Sequence, residues 1–486
     1  MGTKSQSFAL VLVALFLTSI VVLPPNTVKA QSKTIIVPDD FPSIQAAIGN
    51  ATNGDMIFVR KGNYDGPIND TLKIDKAISL IGEDANSTIL NLYPAFDITY
   101  QLFYPFYEYT DSISVKANDF VLSNFTIFAR IGGNVSIIGD RARIIGNSIF
   151  SGSTSETGLS VKGTNCQVAG NTLLGPLFII GNSNLLFNNT SSSIQMASAN
   201  NNSVLANNCW GLGIGLSNHS TCSYNVITGN KIVSTTRGSF GIILGSATFN
   251  TISKNLIKGM QCGIIQLGAT AGSIGSLAPS VNNTFYLNNL IDNMLNNVAV
   301  TFTKNFWDNG TKGNYYDNYD GFDRNNDGVG DTPYTINSNN IDHYPLMSPF
   351  NIDDISFEFR DLINSAFGFM SSFEVISPQN KIYNLTYVSL NFTVPQSTKL
   401  VRYSLDGQEN VTVFGNLTIA DLANGAHNIT IYADDPFGNT QSSEIIVFNK
   451  DVPEPFPIIP VLFASIVTIA VAAGLLFYHK RKTKTV

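Results

Sequence analysis

The sequence predicts an all-β chain: a right-handed parallel β-helix, then a small Ig-like β-sandwich, then a C-terminal transmembrane helix. Three observations predict it. A short phrase of apolar residues ending in asparagine recurs through the middle of the chain. The runs between these phrases are β-prone and broken by Gly and Asn, with almost no helix-length periodicity. Near the C-terminus lies an uncharged apolar stretch of membrane-spanning length. The recurring asparagines are Asn124, Asn147, Asn171, Asn188, Asn207, Asn230, Asn255, Asn288 and Asn305, most of them about 17 to 25 residues apart, within the period range of solenoids. The interval from Asn255 to Asn288 is longer, and its Gly/Ala/Ser-rich stretch 269–280 reads as a loop pushed out of one coil. A unit this short cannot bury its own apolar face, so units must stack, each rung about 4.8 Å above the last. Identical amides then sit above one another and can hydrogen-bond up the column while buried. An Asn-rich β-sandwich is the alternative, but sandwiches do not repeat one phrase at this period.

The first 30 residues are expected to be a secretory signal. Lys4 precedes an apolar run over 8–23, and Val28-Lys29-Ala30 fits a small-residue cleavage site. The mature chain opens with a strand at 34–37, a Pro-marked turn, and a short amphipathic helix with Ile44, Ala47 and Ile48 on one face. An open solenoid end exposes apolar rungs and free strand edges, so this helix is the expected plug. Asn53-Gly54-Asp55 turns the chain into the first rungs, which continue through Lys61-Gly62-Asn63-Tyr64 and 78–83. Seven aromatics between Phe96 and Tyr109 interrupt the rungs; they could stack on sugar rings or cover the side of the solenoid.

After Pro349 the composition changes. Residues 351–372 read as a linker, and 373–449 as short alternating strands with turns at Asp406-Gly407, Asn424-Gly425 and 435–439. Residues 450–457 are a Pro-rich spacer, 458–478 the span, and 479–486 a basic tail that belongs on the cytoplasmic side. The expected product is a single-pass protein of the cell membrane with nearly everything outside.

Composition excludes some partners. The net charge of −7 and the absence of a Lys/Arg stripe argue against nucleic acid. Cys166, Cys209, Cys222 and Cys262 all fall in the repeat region with no metal-ligand spacing. Two disulfides and four buried thiols are both open.

A few residues could carry chemistry. Asp323, Asn325, Asp327 and Asp331 place side-chain oxygens at positions 1, 3, 5 and 9 of a loop, with Gly328 at position 6 and the Val329 carbonyl for position 7. That is the ligand spacing of a structural calcium loop. Position 12 is Tyr334, so a further ligand would come from Asp317, Asp320 or Asp342; an Asx-rich turn without an ion is the alternative. Catalytic groups are sparse. Glycoside hydrolysis needs two facing carboxylates, yet from Arg141 through Ile291 the single carboxylate is Glu156. Asp111, Asp119 and Asp140 lie in earlier rungs, and His219 is the one histidine of the solenoid body. No catalytic residue is assigned. The sequons are dense: Asn124, Asn134, Asn188, Asn189, Asn201, Asn218, Asn282, Asn309, Asn384, Asn391, Asn410, Asn416 and Asn428. Asn124 and Asn188 are expected ladder members, so the expected glycosylation sites are Asn384, Asn391, Asn410, Asn416 and Asn428 in the sandwich.

The opening, Ile36-Val37-Pro38-Asp39-Asp40 through Ser43–Ile48, Gly54-Asp55, Gly62-Asn63-Tyr64 and Ser79–Glu83, resembles that of NosD-like, pectin-lyase-like β-helix proteins. So does the closing segment, Asn305-Phe306-Trp307-Asp308-Asn309-Gly310, Gly313–Tyr319, Asp331–Tyr334 and Asp342–Leu346, although Tyr316 stands where the family usually has Trp. The resemblance covers about 33–350 and implies a right-handed β-helix at the cell surface. It settles no activity, because the scaffold carries lyases, hydrolases, epimerases and binders alike. The NosD name suggests copper, but copper wants clustered Cys, Met or His, and His219, His343, His427 and His479 are scattered. The phrases at 403–407 and 433–439 resemble Ig-like modules of archaeal surface proteins. Three readings follow. The leading one is a surface protein that binds polysaccharide or surface-layer partners without catalysis. The others are a polysaccharide lyase or hydrolase, and a purely structural envelope component.

Overall fold

The computed structural model describes residues 32–68, 70–93, 111–129, 133–150, 158–216, 221–234, 238–267, 277–300, 303–352, 374–394, 398, 400–413, 415–434, 440–452 and 458–482. The signal segment 1–30, the aromatic insertion 96–109, Glu156, His219, most of the loop 269–280, most of the linker 351–372 and the Pro-rich residues 453–457 lie outside them. The chain divides into two compact units, Met1–Phe350 and Asn351–Val486.

The first unit is a parallel β-helix. Short strands are dealt in turn to three parallel sheets: sheet A from Thr34–Val37 to Thr284–Tyr286, sheet B from Gly62–Ile68 to Tyr315–Tyr316, and sheet C from Leu72–Ile74 to Asn296–Ala299. One coil runs through Val121–Ser123 in A, Thr126–Ala129 in B and Asn134–Ile138 in C before Arg143–Ile145 pairs again with Val121–Ser123. Three-residue strands suffice because only their middle residue must face inward. In sheet A that residue is Leu80, Leu122, Ile144, Val168, Leu186, Val204, Ile227, Ile252 and Phe285, all fully buried. Each such side chain contributes roughly 1.5–3 kcal/mol by leaving water.

Helix α1 (Ile44–Asn50) closes the N-terminal end. Ser43 caps it by accepting the Ala46 N–H at 3.2 Å, and Ile44, Ala47 and Ile48 enter the solenoid core. At the other end Trp307 is buried and stacks on Phe285, with ring centroids 4.4 Å apart, and its indole N–H donates to Asn340 at 3.0 Å. Tyr316 is buried too, stacked 3.8 Å from the Tyr334 ring. All four cysteines are free and buried.

In the second unit one sheet of three strands (from Glu374–Ser377) and another of six (from Ile382–Tyr383) contribute to one apolar core, with Leu390, Val401, Ile429, Ile431 and Phe448 at its centre. Helix α2 (Ile458–Lys482) follows. Its residues from Ser465 to Arg481 are exposed all round. Among the described residues no helix is long and apolar enough to cross a membrane; the side chains of 458–464 lie outside that description.

Candidate functional site

Two asparagine columns flank sheet A, where the sequence phrase predicts one. The first holds Asn147, Asn171, Asn189, Asn207, Asn230, Asn255, Asn288 and Asn314. From Asn171 on, each Oδ1 accepts both the backbone N–H and the Nδ2–H of its predecessor; Asn207, for example, takes those of Asn189 at 2.9 Å each. Each Nδ2 also donates to a carbonyl of the preceding coil, as Asn207 does to Leu186. The second column holds Asn184, Asn202, Asn225, Asn250, Asn283, Asn305 and Asn340. The sequence signal for both is Asn-x4-Asn: 184/189, 202/207, 225/230, 250/255 and 283/288.

This geometry corrects three ladder assignments. Asn188 is exposed with φ 51°, and its neighbour Asn189 is the ladder member. Asn124 has φ 61° and aligns with Gly146, so Phe125 fills the ladder position of that coil. Asn305 belongs to the second column. The cause is the corner itself. The residue before each ladder position must turn in the left-handed region: Gly146, Gly170 and Gly229 do so freely, while Asn188, Ala206, Lys254 and Leu287 also have φ of 51° to 56°. Glycine has no Cβ to clash there, and asparagine is the residue that next best tolerates it. An Asn in the phrase can therefore sit at the turn or at the ladder.

Asp342 ends the first column. Its buried carboxylate accepts the Asn314 N–H at 2.7 Å, the Tyr316 hydroxyl at 3.2 Å and the Tyr344 N–H at 3.0 Å. Burial outweighs these bonds and pushes its pKa up to about 6. Asp317 accepts the Asp292 N–H and the Asn297 amide. Asp342 thus serves the ladder end, and Asp317 ties the Asp292 and Asn297 turn beside sheet B. In the closing loop itself, Asp323 accepts the N–H groups of Asp327 and Gly328, Asp327 that of Val329, and Asp331 that of Arg324. Asn325 bonds Asp327 through its amide at 3.0 Å. Gly328, with φ +84°, makes the sharp turn, and Val329 bridges to Leu346. Among the described residues no three His, Cys, Asp or Glu side chains come together as a metal would require.

The described residues do not fit copper. His343 pairs with Asp308, His427 with Asp406, and His479 lies on α2. Burial pushes the thiol pKa of Cys209 up to about 12 and those of Cys166 and Cys262 up to about 11, so these sulfurs stay protonated in separate places of the core.

Two outer faces carry more chemistry. On sheet B, register stacks Phe128, Phe150 and Leu174 in one outward column, and Trp210 continues it past Ser192. Phe128, Leu174 and Trp210 are 44%, 41% and 50% exposed, and the Phe128 and Phe150 rings stack 5.2 Å apart. Two residues back along each strand runs a polar column: Thr126, Ser148, Thr172, Thr190 and Asn208. On sheet C, Asp111 bonds Ser114 and Ser136 with Lys116 and Lys162 nearby; burial pushes its pKa up. Asp119, by contrast, is held by Arg141 at 2.7 Å, and Asp140 accepts the Thr164 N–H. Of the expected glycosylation sites, Asn384, Asn410, Asn416 and Asn428 are exposed and Asn391 is half-buried.

Residues 104–321 match the family described as NosD, periplasmic copper-binding protein. A relative described as a probable ABC transporter binding protein NosD, from Stutzerimonas stutzeri, is 31% identical over 129 residues, 24% of this chain and 27% of that protein. The chain thus spans about a quarter of the length of that relative. Among solved structures, the A-module of a mannuronan C-5 epimerase from Azotobacter vinelandii is 14% identical with a TM-score of 0.34, over 56% of this chain and 87% of that one. A pectin methylesterase from Aspergillus niger is 13% identical with a TM-score of 0.26, over 56% and 87%. The first unit is a parallel β-helix whose residues 104–321 are similar to the NosD family.

Proposed function

We propose that the chain is a membrane-anchored surface protein whose solenoid binds polysaccharide without cleaving it, along the outer face of sheet B. The column Phe128, Phe150, Leu174 and Trp210 carries this reading. A pyranose ring offers an apolar face for stacking and equatorial hydroxyls for hydrogen bonds. The two columns on sheet B offer both partners about 7 Å apart, and rungs about 4.8 Å apart suit a chain lying along the axis. The test is an array of polysaccharides probed with the purified ectodomain and read for retention and cleavage. Retention of one or more glycans without cleavage supports the reading; retention of surface-layer protein with no glycan bound overturns it.

Anchoring is proposed from α2, whose described apolar residues, such as Ile469 and Phe477, are exposed on every side. A 25-residue helix is about 37 Å long, enough for the hydrocarbon core. Protease added to intact cells should remove the solenoid and the sandwich and leave a small C-terminal membrane fragment; a protected solenoid sinks the topology. Calcium is proposed at Asp323, Asn325, Asp327, Val329 and Asp331 as a structural ion. Asp111 favours a second reading, a lyase or hydrolase, because the burial that raises its pKa suits a proton donor. Cleavage of any retained glycan that Asp111→Asn abolishes, with retention kept, would establish it.

A further inference from the structure

We propose that Asn201 and Asn282 are N-glycosylation sites whose glycan covers the stacked pair Tyr224–Phe249 lying between them. The corner entering sheet A places Asn201, Tyr224, Phe249 and Asn282 at one position of four successive coils. Their N–H groups donate to Ser223, Thr248, Val281 and Lys304 of the next coil. All four have left-handed backbone, with φ of 55°, 59°, 56° and 58°. The residue after each one, Asn202, Asn225, Asn250 or Asn283, is a buried member of the second amide column.

Tyr and Phe are poor choices for this turn. The left-handed region costs a bulky residue about 1–2 kcal/mol, while Asn tolerates it. The two rings are nonetheless 59% and 48% exposed, parallel within 8° and 5.3 Å apart. An apolar platform on a strained outer corner is explained by something lying on it. Its two neighbours in the column are each the first residue of a sequon, Asn201-Asn202-Ser203 and Asn282-Asn283-Thr284. Burial rules out some sequons and leaves others, Asn188 among them, exposed. Asn124 and Asn189 also open one but are buried to 1% exposure, whereas Asn201 is exposed and Asn282 partly so. A sugar on either corner asparagine starts one rung, about 5 Å, from an aromatic face. Attachment needs a glycosyl diphosphate donor: the side-chain amide nitrogen bonds to the anomeric carbon, the bond from that carbon to the diphosphate oxygen breaks, and one amide proton leaves to base.

The test uses full-length protein taken from the membranes of the cells that make it. Peptides are weighed before and after deglycosylation, and Tyr224 and Phe249 are footprinted with hydroxyl radicals on folded protein in both states. The expected result is a sugar mass on the Asn201 or Asn282 peptide and none on Asn124 or Asn189. Removal of the sugar should raise oxidation of both rings several-fold. The double variant Ser203→Ala, Thr284→Ala, which keeps both asparagines, should reproduce that rise. Unmodified Asn201 and Asn282 overturn the proposal, and so does a sugar whose removal leaves the footprint unchanged.

Discussion

The first coils and the later ones solve the same corner differently. Flanking sheet A, the early coils hold Ile78, Phe120 and Ala142 at one corner and Phe125 at the other. From Asn147 and Asn184 onward both corners hold amides. An apolar corner packs, but it offers nothing to the backbone N–H of the coil beside it; Phe125 depends on Asn147 for that acceptor, at 3.1 Å. An amide corner ties each coil to the next by the same two bonds whatever lies between. Asn171 and Asn189 are 18 residues apart and Asn255 and Asn288 are 33 apart, yet their amide bonds are 3.0 and 2.9 Å. The ladder therefore holds register while loop length varies.

The largest expected effect breaks that rule at one step. Asn189→Leu removes the acceptor for two Asn171 donors and the donors to Val168 and Asn207. Several buried groups left unpaired at about 1–3 kcal/mol each, partly relieved by relaxation, give a loss of about 3–5 kcal/mol. Asn188→Leu, next door, should lose only about 1 kcal/mol from its left-handed turn. Thermal melts of the two variants decide; equal shifts would refute the column. The same contrast is expected between Asn207→Leu and the exposed Asn201→Leu.

Next comes the end of the column. Because burial raises the pKa of Asp342 to about 6 from 3.8, the folded state binds a proton more readily than the unfolded one. Its contribution is most favourable at low pH and is lost as pH rises through that window, by up to about 3 kcal/mol. Asp342→Asn should flatten this part of the stability profile between pH 4 and 7. A wild-type profile that rises monotonically across that range, with the variant parallel to it, would remove Asp342 as its cause.

Calcium sharpens the same end. If the closing loop takes the ion, a hundredfold excess over its dissociation constant stabilises by about 2.7 kcal/mol. Melts with millimolar calcium and with chelator should differ for wild type and coincide for Asp327→Ala. Identical wild-type melts up to tens of millimolar calcium leave an Asx-rich turn.

The smallest effect concerns the outer face. Trp210→Ala should leave the melting temperature nearly unchanged while weakening retention of a bound glycan about fivefold, near 1 kcal/mol. Unaltered retention would move the ligand off sheet B.

Sequence alone determined the solenoid, because a fixed phrase at a coil-length period admits few other packings. The capping helix was legible as well, since Ile44, Ala47 and Ile48 share one face and all enter the core. Three things needed the tertiary structure. In double-Asn corners such as Asn188-Asn189 and Asn201-Asn202, composition is silent on which amide points inward, and only the left-handed turn decides. Asp342 reads as a loop carboxylate until the chain returns it beneath Asn314, 28 residues away. The row Phe128, Phe150, Leu174 and Trp210 has no signature along the chain, because its members are separated by whole coils and become neighbours only through the register of sheet B.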